Sequence, residues 1–514
     1  MKVINRSIYL SIFILAQVLY LAFTNIPAQT MQHSPSTYNV IAFGAKADEK
    51  SKDTRAIQNA IETCHRNGGG TVYFPPGTYL CGSLHLRSDV ALFLDHGAII
   101  KASTDNDDFD PYEKLDFPND ADHETSFFHY SLIWGENIER VAILGTGIID
   151  GNRSKRGGPK PIAFKSCQQV TIKDITILNA PNYAISLLGT DYVNIDGVNI
   201  FNGYCDGIDP DGCKYVRIAN CQIETWDDAI VPKASFSLGV RRAVEYLTVT
   251  NCLLATNCNA FKLGTESGGG FKYITVSNCV FYNRASGRPP ISGIALESVD
   301  GGDIDGVTIS NISMSNVQTP IFLRLGNRGR DMESPTPGTL KNVFISNVTA
   351  TGAEKPCPIV GIPDHYVEDI ILDNIQITYK GGGTTDQTKI QVPEYESKYP
   401  SAKMFGPLPA YGFYCRHVKG IRLQDINLKL QSPDYRHALI CDDVTKLTLD
   451  SFDAHHSGAT ESLIRFKGVR QAMIRGCMPS AEVNQFISIP DNEMKEIKFV
   501  GNDFQRIKQQ IKGN

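Results

Sequence analysis

The stretch Tyr204–Ser235 reads YCDGIDPDGCKYVRIANCQIETWDDAIVPKAS. Among its acids are Asp206 and, about twenty-one residues later, the pair Asp227 and Asp228. Between them, Val216-Arg217-Ile218-Ala219-Asn220 alternates apolar and polar residues, as a strand with one buried face does.

The same unit recurs along the chain, starting at Val90, Val141, Val170, Val193, Leu247, Ile274, Val307 and Val343, with weaker copies near Ile370, Ile421, Leu447 and Ile474. Its first and third residues are apolar, and Asn, Asp or Gly often stands fifth. The spacing is about twenty-three to thirty-six residues, with two longer steps, and a near-fixed period is the mark of a solenoid. One strand per turn, with Asn and Gly at the bends, predicts an all-β, right-handed parallel β-helix whose coils pair only with their neighbours. A propeller would need about four strands per blade. A sandwich would need tight hairpins, which are scarce here. Asp206 and Asp228 should then stack on adjacent coils.

Ahead of the coils, Thr54–Arg66 reads as a helix, with Asp53 as N-cap and Ala56, Ile57, Ala60, Ile61 and Cys64 as its apolar face. Such a helix would plug the open end of the core. Longer inserts fall at about 105–125, 235–242, 285–290, 324–337 and 381–411. Inserts between coils become walls of a binding face. The last is too long for a simple connector.

The chain has 514 residues, 42% of them hydrophobic and 20% charged, with a net charge of -5, so no basic surface points to nucleic acid. Residues 1–28 read as a signal peptide: Lys2 and Arg6, an apolar run from Tyr9 to Phe23, and a cut near Ala28. No other segment is long and apolar enough to span a bilayer. Residues 38–514 read as one domain, secreted or periplasmic, with no membrane part in the mature form and expected to act as a monomer. Of the thirteen Cys, Cys221, Cys252 and Cys279 each follow Asn in the repeat. They read as small core groups rather than disulfides. Zinc-type spacing is absent, and no metal or cofactor is expected.

Two carboxyl groups facing one way on neighbouring coils suit glycoside hydrolysis, in which one acid protonates the leaving oxygen and another activates water. Crowded acids raise at least one pKa, as a general acid requires. Asp206-Gly207 and Asp211-Gly212 are each a possible turn, and Asp209 and Asp211 read as turn formers.

These motifs resemble those of the polygalacturonase family, glycoside hydrolase family 28, from Phe43-Gly44-Ala45 to about residue 350. Tyr204-Cys205-Asp206 matches the family's Asn-Thr-Asp, and Trp226-Asp227-Asp228 its Gly-Asp-Asp. The resemblance implies a β-helix that hydrolyses pectic polysaccharide with inversion and without a metal, in cell-wall degradation. It implies Asp206, Asp227 and Asp228 as catalytic, with Asp228 or Asp206 as the acid and the remaining two activating water; of the two, Asp228 is the expected acid. The family's His-Gly is Asn259-Ala260 here. Its carboxylate-binding Arg-x-Lys is Ala295-Leu296-Glu297. The subsite therefore holds a neutral sugar, as in relatives acting on rhamnogalacturonan, or takes cations from Lys233, Lys262, Arg324, Arg328 or Arg330. Lys262 and Glu297 can also pair across coils. Tyr204 and Trp226 are candidate sugar platforms, and Glu266 a candidate cleft residue. The walls point to a pocket and exo-action on a galacturonan or rhamnogalacturonan chain. A polysaccharide lyase, using calcium on the stacked acids, and a non-catalytic carbohydrate-binding β-helix are the competing readings.

Overall fold

The periodic valines and isoleucines lie one above another. In the computed structural model, which describes residues 36–513 except 459, 480, 481, 491 and 492, Val141 pairs in register with Val170, then Val193, Val216, Leu247, Ile274, Val307, Val343, Ile370, Ile421 and Leu447. All pairings between these strands are parallel, and the whole ladder is buried. Each such side chain contributes roughly 1.5–3 kcal/mol by leaving water. The last rung differs from the sequence reading: Leu447 pairs with Ala472, two residues before Ile474. Ile474 continues the alternation, so it mimics a first position.

The repeat's fifth position makes the corner. Asn220, Asn251, Asn278, Asn311 and Asn347 have φ between 53° and 57°, the left-handed region that Asn tolerates better than most residues. Their amides link coil to coil, Asn311 donating to Asn278 at 3.0 Å and Asn347 to Asn311 at 3.0 Å. Just past the corner, Cys221, Cys252 and Cys279 stack as buried thiols, each donating to the carbonyl two residues back at 3.1–3.2 Å.

A right-handed parallel β-helix results. Its first end is covered by the helix Thr54–Arg66, which buries Ile57, Ala60, Ile61 and Cys64 against the first coils. Asp53 precedes that helix but does not cap it. Its carboxylate accepts the N–H groups of Lys46 (2.7 Å) and Ala47 (3.0 Å) and ties down the chain before the helix. The signal-peptide reading of 1–28 lies outside the described residues.

One sheet carries the site. Leu84–His85, Ser131–Glu136, Lys160–Lys165, Ile185–Leu188 and Ile208–Asp211 form its first five strands. It continues through bridges at Ile230 and Lys233 to Asn259–Leu263, Ser292–Ser298 and Thr319–Leu325. The insert at 381–411 folds onto the outward face of its later strands, where Ala402, Phe405 and Leu408 pack on Ala295, Phe322, Val360 and Tyr414.

Candidate active site

Ile208 bridges Ile230, so Asp206, two residues earlier, stands one coil below Asp228. Two bonds confirm the stacking: the Gly207 N–H donates to the Asp228 carbonyl (2.9 Å) and the Asp228 N–H to Asp206 Oδ1 (3.1 Å). Glycine at 207 follows from the close approach of the coils, because a Cβ there would collide with the Ala229 carbonyl. Asp227 lies beside them. Each of its neighbours, Asp206 on one side and Asp228 on the other, brings a carboxylate oxygen within 4.8 Å.

Every acid has its own cation. Lys233 Nζ lies 2.9 Å from Asp206 Oδ2, Arg156 Nη1 2.8 Å from Asp227 Oδ2, and Lys262 Nζ 2.7 Å from Asp228 Oδ2. Asp228 Oδ1 also accepts the Asn259 backbone N–H (2.9 Å) and its Nδ2 (2.6 Å). The Asn259 amide is held in turn by the Ser292 hydroxyl at 2.7 Å. Cys205 and Cys258 place thiols beside the same carboxylates, which makes donor groups capable of metal binding. Those carboxylates already face three positive side chains, which oppose a further cation.

The acids are electrostatically unequal. Burial pushes the Asp206 carboxyl well above its ordinary range, and Asp227 and Asp228 add to this; Lys233 only partly offsets them. Burial also works against the charge on Asp227, but Lys262 and Arg156 outweigh it and hold this carboxyl below the usual range. The array extends outward. Lys233 also meets Asp209 Oδ2 (2.5 Å) and the Tyr183 hydroxyl (2.7 Å). Glu297 is 1% exposed, its Oε2 has no hydrogen-bond partner, and burial pushes its carboxyl up to about 8 against the pull of Lys262.

The remaining candidates separate into two groups. Tyr204 and Trp226 stand side by side, ring centroids 5.8 Å apart, with Arg284 over the indole at 5.2 Å. Trp226 is 50% exposed next to the acids. Glu266 is buried and held by Arg330 at 2.5 Å. Two arginines are occupied elsewhere. Arg324, fully buried, donates to the carbonyls of Gly361, Glu394 and Tyr395 and so straps the long insert to the coil. Arg328 makes a two-pronged pair with Asp300 (2.9 and 2.6 Å) and bonds Thr265. Asp209 and Asp211 are not turn residues but lie in the strand Ile208–Asp211. Asp211 is held by the Ser235 N–H at 2.8 Å and by the Ser235 hydroxyl.

Four contributors went unread in the sequence as members of the site. Arg156 sits in a polar loop, RSKRGG, that looks like solvent-facing chain. Tyr183 has no motif. Asp209 was masked by its Pro-Asp-Gly context. Tyr399 comes from the long insert, and its phenol is perturbed by Lys262, Glu297 and Asp228. Length and aromatic content marked that insert as a wall, but nothing local says which of its tyrosines turns inward.

Comparison with known proteins agrees with this geometry. The model of Glycosyl hydrolases family 28 matches residues 116–398. A probable polygalacturonase of Vitis vinifera is 24% identical over 372 residues, 67% of this chain and 74% of that one. An exo-poly-alpha-D-galacturonosidase of Dickeya chrysanthemi is 24% identical over 418 residues, 68% of this chain and 67% of that one. Among solved structures, the family 28 exopolygalacturonase of Yersinia enterocolitica has a TM-score of 0.64 at 19% identity, covering 80% of this chain and 78% of that one. The exopolygalacturonase of Thermotoga maritima has a TM-score of 0.58 at 23% identity, covering 67% and 87%. With the family model spanning more than half of its length and the acids assembled on the β-helix, the chain belongs to glycosyl hydrolases family 28 and is a glycoside hydrolase.

Proposed function

We propose that this protein is an exported hydrolase that removes sugar units from the end of a pectic oligosaccharide, with inversion at the cleaved carbon. The single observation that carries the reading is the triad Asp206–Asp227–Asp228, each acid paired to its own cation. Asp227, held ionised, takes the proton of the attacking water. Asp206, whose burial favours its protonated form, supplies the proton that the leaving oxygen receives. Of the two expected candidates for the acid, Asp228 and Asp206, burial favours the proton on Asp206.

Exo-action is supported by the wall that the insert builds across the outward face, and by the relatives named for exo-cleavage. The sugar at the cleaved bond follows from Glu297. A buried carboxyl with a pKa near 8 stands where the family resemblance places a carboxylate-binding lysine. That position suits a neutral sugar better than a uronate, and so a rhamnogalacturonan-type chain better than plain galacturonan. Export rests on the leader reading of residues 1–28.

The test is digestion of galacturonan and rhamnogalacturonan oligosaccharides with chromatographic product profiling and proton NMR of the first anomer released. Single terminal sugars with inverted configuration are expected from the rhamnogalacturonan set. Random internal cuts, a retained anomer or an unsaturated, ultraviolet-absorbing product would sink the reading.

A further inference from the structure

The long insert divides the outward face in two. On one side Tyr399 faces the acids. On the other lies a cavity of about 610 Å³, walled by Thr388–Glu394 of the insert and floored by later coils. The floor is two columns of the same sheet face: Tyr414, Ile440 and Arg465 in one, Arg416, Asp442 and Lys467 in the other. At about 4.8 Å per coil, and with Tyr414 four strands on from Lys262, the cavity stands roughly 20–30 Å from the acids. The packed wall of Ala402, Phe405 and Leu408 separates it from them. Apart from the insert itself, its lining lies beyond the matched family segment.

Its charges are unevenly matched. Arg416 is taken up by the carbonyls of Val392 and Pro393 and by Glu394 at 3.0 Å. Lys467 pairs with Asp442 at 3.2 Å. Arg465 and Lys389 are left over. Arg465 donates to the Thr388 carbonyl at 3.2 Å, with no carboxylate in ion-pair contact among the described residues. Lys389 has Asp386, at 3.9 Å and almost fully exposed, a pair of little strength. One cation thus stands on the floor and one on the wall. Between them the lining offers acceptors, Asp442, Glu461 and Glu394, and the amide of Gln391.

We propose that this cavity is a second, non-catalytic binding site for an acidic sugar: one carboxylate between Arg465 and Lys389, with ring hydroxyls donating to Asp442 and Glu461. The volume falls within the roughly 300–1,000 Å³ of ligand sites. A compact dense anion such as phosphate would meet three carboxylates with only one or two protons to offer them. A sugar acid brings both charges' complements: a carboxylate for the cations and hydroxyls for the acids. Anchoring a chain beside the catalytic cleft raises the local concentration of ends to be cleaved. The inference draws on the cavity's own groups and does not depend on which bond the acids cleave.

Isothermal titration of trigalacturonate into the Asp228→Asn protein tests it, with Asp228→Asn/Arg465→Glu and Asp228→Asn/Lys389→Glu as comparisons. Lys389 is exposed on the insert, so its replacement leaves the coil intact. Both double variants are expected to lose at least tenfold in affinity at one site, with any binding in the catalytic cleft unchanged. A neutral galactose trisaccharide should bind at least tenfold more weakly than the acidic one, and inorganic phosphate should not compete. Unchanged isotherms in the Lys389→Glu background, equal binding of the neutral trisaccharide, or displacement by phosphate at similar concentration would each overturn the proposal. Loss of hydrolysis of a short substrate in Arg465→Glu or Lys389→Glu would also count against it, because these residues lie outside the catalytic cleft.

Discussion

At the scale of single residues, the acids matter less as a count than as an electrostatic order. Asp227→Asn and Asp206→Asn are each expected to lower kcat by roughly 10²–10⁴-fold, the usual reach of acid–base catalysis, in initial-rate assays. The sign of the pH dependence follows from opposite shifts. Asp227 is held low, so in the proposed role of base it stays ionised, and activity is expected to persist into acid below the ordinary carboxylate range. Asp206 is pushed high, so activity falls on the alkaline side only as pH rises through that raised value. Lys262→Met removes the positive charge beside Asp227 and Asp228. The acid limb of the kcat/KM profile should then move to higher pH; a profile unchanged in shape would refute the pairing. Glu297 makes a stability prediction. Its folded pKa of about 8 lies above that of an unfolded glutamate, so its contribution is fully present below the unfolded value and is lost as pH rises toward and through 8. Glu297→Gln should therefore narrow the drop in Tm between pH 5 and pH 9, measured by calorimetry.

At the scale of elements, the insert at 381–411 decides the shape of the binding face. It has one short 3-10 turn, Thr385–Lys389, and is held by apolar packing and by Arg324. Arg324→Met leaves the carbonyls of Gly361, Glu394 and Tyr395 without their donor. A loss on the order of 3 kcal/mol is expected in denaturant unfolding, together with release of the insert seen as new protease sensitivity. Removing the wall's apolar anchor with Phe405→Ala should shift products from terminal sugars toward internal cuts on chromatography. The expectation that Arg324 and Arg328 serve as substrate cations meets a physical difficulty here: their donors already satisfy buried carbonyls and Asp300, and freeing them would leave those groups unpaired.

At the scale of the whole molecule, the coils form one stack in which each layer buries the next. The capping helix closes a core that would otherwise present an open strand edge. Removing the chain through Arg66 should therefore lower Tm and produce aggregates by size-exclusion chromatography, even though the acids are untouched. Much of this was legible in the sequence. The period, the Asn corners and the Asp206–Asp228 step are local patterns, repeated often enough that one register satisfies all of them. Ile474 was misplaced by two residues because a period-2 pattern looks the same at its first and third positions.

What the sequence determined by itself was thus the coil and the stacking of the acids, because both follow from the spacing of the repeat. Which cation neutralises which acid was decided only by tertiary structure. Arg156 reaches Asp227 from a polar loop, Tyr183 reaches Lys233 from an earlier coil, and Tyr399 arrives from the insert. The physical reason is that charge pairing is set by distance in space through a low-dielectric interior. Loops carry no periodicity from which that distance could be read.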